Sequence, residues 1–286
     1  MNNFFIITNT FKDPEFELTK KISEYIEKKG GMCPYLHKNQ GMTSVETFDS
    51  KQVPADTEAI LVIGGDGTLI KAAGDTKGMN IPLIGINLGN LGYLCELEEK
   101  TVFGALDQLF DDKYVIENRM MINGQLFKKN DKIKEMSALN DIVIHRCGAL
   151  HIISFNVYVN GEFLNSYKAD GIIVATPTGS TAYNMSAGGP IVDPKANMIL
   201  VTPINSHMLN SRSIVLSAED VIEIEVGSRG TENDDPVEVS FDGNSSERLE
   251  TGDRIVIKRA ETNTEIIKLS KLSFLEILRK KMQTYH

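Results

Sequence analysis

Asp66 sits among three glycines and a threonine, in Gly64-Gly65-Asp66-Gly67-Thr68, directly behind the apolar run Ile60-Leu61-Val62-Ile63. A carboxylate in that setting suits two tasks. It can take a proton from an attacking hydroxyl, or hold a divalent ion beside phosphate. The glycines let backbone N–H groups come close to an anion, and a following helix start favours negative charge. A lone Asp-Gly pair is an ordinary tight turn. Three glycines around one acid behind a strand read instead as a phosphate loop of Gly64, Gly65, Gly67 and Thr68, with Asp66 as its catalytic group. Two familiar nucleotide devices are excluded. The chain has no Gly-Lys dipeptide, which a P-loop needs, and the run does not fit G-x-G-x-x-G.

Two further segments have the same texture. Asn87-Leu88-Gly89-Asn90-Leu91-Gly92-Tyr93-Leu94 follows a third apolar run. Both glycine-rich loops therefore lie past strand ends, where open α/β sheets place ligands. The longest segment runs from Asp170 to Pro190 and is rich in small hydroxylated residues, among them Thr176, Thr178, Ser180, Thr181 and Ser186. Hydroxyls and free N–H groups suit ribose and phosphate. Its structural alternative is a set of capping residues, Thr178 or Ser180 opening a short helix that Gly188-Gly189 ends. Tyr183 is the aromatic residue expected to stack on or cap a ligand. Cys95 is expected to be a core filler, and Glu96, Glu98 and Glu99 an exposed cluster at a helix start.

The elements that must position these groups change character along the chain. Phe4–Ile7, Ala59–Ile63 and Ile81–Ile86 read as strands, and Pro14–Lys29, Thr68–Ala73 and Thr101–Phe110 as helices. That alternation predicts a doubly wound, mostly parallel α/β sheet. After Tyr114 short alternating runs dominate, up to Thr264–Leu269, with Asn160-Gly161 and Asp242-Gly243 as turns. This is the pattern of an all-β sandwich, and Asn160-Gly161 suits a type I′ hairpin. The division is placed at residues 1–115 and 116–286. The chain ends in a helix over Ser273–Met282, expected to pack back on the first domain.

Composition narrows the class. The 286 residues are 41% hydrophobic and 24% charged, with a formal net charge of −9. That suits a globular protein and speaks against a nucleic-acid partner, since no dense basic cluster occurs. Three cysteines without a C-x-x-C point away from a disulfide framework and towards a reducing compartment. No apolar run is long enough to span a membrane. A cytoplasmic location and no membrane partner are the expectations.

Taken together, GGDGT at 64–68, NLGNLGYL at 87–94, LND at 139–141 and DGIIVATPTGSTAYNMSAGGPIV at 170–192 make the sequence resemble the NAD kinase family. TPINSH at 202–207 and Arg212 follow in order. The resemblance covers most of the chain, and its long segment is the most specific part. It implies an N-terminal α/β domain, a C-terminal β-sandwich and NAD bound between them. It also implies phosphoryl transfer from ATP, or in some members polyphosphate, to the 2′-hydroxyl of the adenosine ribose of NAD, assisted by Mg²⁺ or another divalent ion. Homodimers or homotetramers are implied as well.

Carried over residue by residue, Asp66 matches the proton acceptor, with Gly67 beside it. Asn140 and Asp141 match an Asn-acid pair that hydrogen-bonds the dinucleotide. His151, Lys168 and Asp170 match polar positions near the ligand or a neighbouring subunit. Thr181, Ala182, Tyr183 and Ser186 match the adenine and ribose loop, and Asn244 a polar ligand contact. Lys71, Asn87 and Thr178 join the substrate-binding set. No metal ligand is assigned. A lipid or sugar kinase with a similar glycine loop, and a non-catalytic NAD(H) sensor, are the competing readings.

Overall fold

The computed structural model describes residues 1–36, 50–89, 92–147, 152–228, 237–270 and 272–283. Met1–Asn118 and Thr264–His286 form one compact unit, and Arg119–Asn263 another.

The first unit contains β1 (Phe4–Thr8), α1 (Glu17–Lys28), β2 (Ala59–Gly64), α2 (Asp66–Asp75), β3 (Leu83–Asn87), β4 (Leu97–Glu98), α3 (Val102–Phe110) and β5 (Val115–Arg119). Among the described residues the second unit contributes β6 (Ile122–Lys128), β7 (Asp131–Ala138), β8 (Asp141–Arg146), β9 (Ile153–Val159), β10 (Glu162–Ala169) and β11 (Gly171–Ala175). The helical turn α4 (Tyr183–Ser186) follows, then β12 (Met198–Ile204), β13 (Ile214–Ser217), β14 (Ile222–Gly227), β15 (Val237–Phe241), β16 (Ser245–Leu249) and β17 (Arg254–Arg259). The chain closes with β18 (Thr264–Lys268) and α5 (Phe274–Gln283).

The sheet of the first unit runs β1-β2-β3-β18-β5, with β4 also paired to β3. β1 with β2, β2 with β3, and β3 with both β4 and β18 are parallel. Every residue of β2 and of β3 is buried, as a sheet covered on both faces requires. After β1 and α1 the chain bridges to the outer edge of β1, Asn3 opposite Met32 and Ile6 opposite Tyr35. After β2 and α2 it runs the other way, to β3. Right-handed crossovers in opposite directions put α1 and α2 on opposite faces. Leu18, Ile22 and Ile26 of α1 accordingly share a core with Leu106 and Leu109 of α3. Leu69, Ala72 and Ala73 of α2 are buried outside that core. The reversal falls between β1 and β2, and Gly64-Gly65-Asp66 lies at it.

The second unit is two antiparallel sheets, β10-β9-β14-β17-β6-β7 and β13-β12-β11-β8-β15-β16. Their inner faces share one core, Phe155, Val157, Ile224 and Ile255 meeting Ile144, Ile172, Val174 and Val239. β11 is buried on its outer face too, where Ile173 and Ala175 pack with Leu200 and are flanked by Ala187 and Val192. The loop after β11 is thus laid over its own strand. The β9–β10 hairpin turns on Asn160 and Gly161, both at positive φ (53° and 82°), the geometry of a type I′ turn.

The first unit's N-terminal segment ends at Asn118, beside the expected division. One expectation needs correction. The run near 264–269, grouped by its alternation with the all-β region, forms β18 inside the first sheet. Alternating burial describes a strand but not its partner, and Ile266 pairs with Leu83 of β3. The terminal helix α5 belongs to the same unit, with the Lys281 ammonium 5.3 Å from the centre of the Tyr93 ring.

Candidate active site

In the first unit Asp66 heads α2, two residues past the end of β2. Its carboxylate is held by backbone amides. Oδ2 accepts the Tyr93 N–H at 2.7 Å, and Oδ1 accepts those of Leu94 and Cys95 at 3.2 and 3.0 Å. A carboxylate offers roughly four acceptor positions, and three of them are taken by these backbone amides. Gly92 must be glycine for this arrangement, because a Cβ there would stand 1.9 Å from Oδ1. Thr68 accepts a hydrogen bond from Asn9 Nδ2 at 3.0 Å, which ties the loop to the end of β1. A Cβ on Gly64 would fall 2.3 Å from the Thr68 hydroxyl oxygen. Asn87 is buried opposite Gly64 in the β2–β3 register. Lys71 pairs with Asp75 at 3.1 Å along α2.

Nothing in the sequence reading pointed to Lys12, yet its ammonium donates to the Gly64 carbonyl at 3.3 Å. Cys95 is the expected core filler, fully buried against Gly85, with its thiol pushed up by burial and by the neighbouring Asp66. Glu96 corrects the expected exposed cluster. Its carboxylate accepts the Leu269 and Ser270 amides at 2.6 and 3.2 Å and the Ser270 hydroxyl at 2.7 Å. Among the described residues no three His, Cys, Asp or Glu side chains converge as a metal site. With Asp66 held by amides and Asp75 by Lys71, the described residues offer no ligand set for a divalent ion held by the protein.

In the second unit a cavity of about 670 Å³ is lined by Asn140, Asp141, Asp170, Ala182 and Tyr183 of the predicted set, joined by Arg146 and Asp242. The carboxylate of Asp242 accepts the backbone N–H groups of Leu139, Asn140 and Asp141 at 2.7, 2.7 and 3.1 Å. It therefore sets the turn that aims the Asn-acid pair. Burial pushes the Asp242 carboxyl up to about 6, against the pull of those three amides. Burial, and then the neighbouring Asp242, push Asp141 up to about 7. The Asn140 Oδ1 is buried without a hydrogen-bond partner. Asp170 is held by Asn205 Nδ2 and Arg146 Nε, both at 3.0 Å, which keep its carboxyl below the usual range. In sequence Asp242 reads as part of the Asp242-Gly243 turn, and nothing singles out Arg146.

The loop after β11 buttresses this wall. Thr176 donates its N–H to the Asn140 carbonyl at 2.8 Å and its hydroxyl to the Leu139 carbonyl at 2.6 Å. Asn184 is fully buried, donating to the Ser180 and Pro190 carbonyls and accepting from the Thr202 hydroxyl. Ser180 caps no helix; its hydroxyl bonds both backbone groups of Val192. Thr178 is buried beneath the loop, with Arg119 Nη1 3.4 Å from its hydroxyl. Thr178, Thr181, Ser186 and Lys168 are not among the lining residues, and Lys168 is exposed on β10. Asn244 lines an adjoining hollow of about 320 Å³ with His145 and Glu238. His151 lies outside the described residues.

Residues 5–114 match the family model of the ATP-NAD kinase N-terminal domain, and residues 139–269 that of the ATP-NAD kinase C-terminal domain. The chain belongs to the NAD kinase family. It is 58% identical over 285 residues to the NAD kinase of Agathobacter rectalis, covering 100% of both chains. It is 45% identical to that of Lachnospira eligens, over 99% of this chain and 100% of the relative. Among solved NAD kinase folds, yeast NADH kinase complexed with NADH superposes with a TM-score of 0.81 at 23% identity, over 99% of this chain and 88% of that one. An NAD kinase from Archaeoglobus fulgidus in complex with ATP gives 0.79 at 22% identity, over 99% of both chains. These two likenesses bear on the fold, an α/β unit joined to a β-rich unit.

Proposed function

We propose that the chain transfers the terminal phosphoryl group of ATP to the 2′-hydroxyl of the adenosine ribose of NAD, giving NADP. The observation that carries this reading is the Asn140–Asp141 wall of the cavity, held in place by Asp242 in a full-length relative of NAD kinases. An unpartnered amide oxygen and a buried carboxyl are acceptors waiting for donors, as a dinucleotide's amino and hydroxyl groups supply. Tyr183, 47% exposed at the cavity, offers a ring to cover a flat base.

Asp66 takes the proton of the ribose hydroxyl, while the amides of residues 93–95 keep the carboxylate from turning away. A divalent ion, Mg²⁺ by family resemblance, would supply neutralisation of charge on the donor phosphates when bound. Family resemblance also supports a homo-oligomer acting in the cytoplasm. No helix of the described residues is long and apolar enough to cross a membrane.

The test is NADP formation from NAD, ATP and Mg²⁺, followed with an NADP-specific dehydrogenase. Asp66→Asn should bind NAD in calorimetry and turn over about 10²–10⁴-fold more slowly. The amide cannot accept all three N–H bonds, so the variant also loses roughly 1–3 kcal/mol of stability and is assayed well below its melting point. No NADP from either ATP or polyphosphate would overturn the reading.

A further inference from the structure

The geometry at the sheet's switch point assigns Lys12 as the residue that binds and positions the phosphates of the donor, an inference that rests on the kinase reading above. Lys12 follows β1 in the turn wound by Asn9, whose carbonyl accepts the Lys12 and Asp13 N–H groups at 3.0 Å each. The adjoining Asp13 is buried and caps α1, accepting the Glu17 and Thr19 amides at 2.8 and 3.0 Å. The backbone that carries Lys12 is therefore fixed from both sides, while the residue itself is exposed.

Its ammonium is laid across the glycine loop. It donates to the Gly64 carbonyl at 3.3 Å and stands 3.0 Å from where a Cβ on Gly65 would be, and 3.7 Å from one on Gly89. An ammonium has three donors. The Gly64 carbonyl takes one, and among the described residues no carboxylate lies within ion-pair distance. Lys71 is paired with Asp75. In a molecule of net charge −9, Lys12 thus places a cation over Gly64 and Gly65.

The chemistry needs a cation there. Phosphoryl transfer is catalysed by positioning and by neutralising charge on the phosphate oxygens. This chain lacks the lysine that a P-loop carries within its own loop. Here the ammonium comes from the neighbouring strand's turn instead, across the switch point where open α/β sheets bind ligands. Bare glycines at 65 and 89 leave the approach to it clear.

The experiment compares the full-length wild type with Lys12→Met and Lys12→Arg. Steady-state NADP formation is measured with ATP and NAD varied in turn, and tripolyphosphate binding by calorimetry. Lys12→Met should lower kcat/KM for ATP roughly 10- to 100-fold, the loss of one charge-assisted contact, while KM for NAD is unchanged. Lys12→Arg should recover part of the loss, which a purely structural role would not predict. Tripolyphosphate should bind the wild type and not Lys12→Met. Equal kcat/KM for ATP in wild type and Lys12→Met overturns the assignment, as does equal or absent tripolyphosphate binding in both. A wild type that forms no NADP but binds tripolyphosphate through Lys12 overturns the kinase reading alone.

Discussion

Asp141 and Asp242 are two carboxyls in one buried wall, and their different partners divide the charge between them. Asp242 accepts three backbone N–H bonds, so it is the one suited to carry the negative charge. Asp141 has burial and a like neighbour against it and keeps its proton up to about pH 7. Below about pH 4 both folded and unfolded chains are protonated at this position. Between there and pH 7 the unfolded chain has lost the proton and the folded chain still binds it. Stability therefore falls as pH rises through this window, and the cost is complete above pH 7. Asp141→Asn should flatten that decline in thermal melts. An ionised carboxylate is the better acceptor, so NAD affinity should rise from pH 6 to pH 8 in the wild type. In Asp141→Asn it should be lower and flat, by roughly 10-fold at pH 8. A wild-type affinity indifferent to pH would remove Asp141 from the binding wall. At this scale Asp66 was legible because the glycines that mark its loop adjoin it in sequence, although the amides of residues 93–95 that hold its carboxylate do not. Lys12, Arg146 and Asp242 were not, because each acts on a segment more than twenty residues away.

Among the elements, the loop after β11 does the most for the site. Gly179 approaches so closely that a Cβ would stand 2.1 Å from the Asn140 carbonyl oxygen. Gly179→Ala must therefore displace Asn140 or the loop, neither of which has slack, given the bonds of Thr176 and Asn184. Displacements of about 1 Å can cost as much as 10²-fold, and kcat/KM for NAD should fall on that order. The matched control is Gly104→Ala in α3, where a Cβ meets nothing within 4 Å. That change should leave kinetics alone and stabilise the helix by up to about 1 kcal/mol. Similar NAD kinetics in the two variants would show that the loop does not set the position of Asn140. The loop's glycines and hydroxyls were visible in sequence as a candidate ligand surface. Several of them, Thr176 and Ser180 above all, turn out to hold the loop in place, since a hydroxyl's sequence neighbours do not say which way it points.

At the scale of the whole chain, the second unit is an insertion into the first. The chain leaves the α/β unit after Asn118 and returns at Thr264, and the returning strand takes an interior place between β3 and β5. Ile266 and Ile267 are buried there, and Glu96 binds the amides of Leu269 and Ser270 just beyond. A chain ending at Asn263 should consequently lose the first unit's cooperative melting while keeping the second unit's antiparallel sheets. Limited proteolysis with mass analysis would read this as cleavage confined to residues before Asn118. If the truncated chain melts like the full one, β18 is dispensable and the interior placement contributes little.

What the amino-acid order determined by itself was everything that local contact decides. Glycine spacing around Asp66, apolar runs long enough for buried strands and the Asn160-Gly161 turn each depend on residues adjacent in the chain. These were enough for the two fold classes and for the family. Tertiary structure alone decided that β18 completes the first sheet, that Glu96 faces inward and that Asp242 aims Asn140 and Asp141. It also decided that Lys12 lies over the phosphate loop. Each of these is a pairing between distant segments. A buried carboxylate or an interior strand is stabilised by whichever amides the fold brings to it, and no neighbour in sequence announces them.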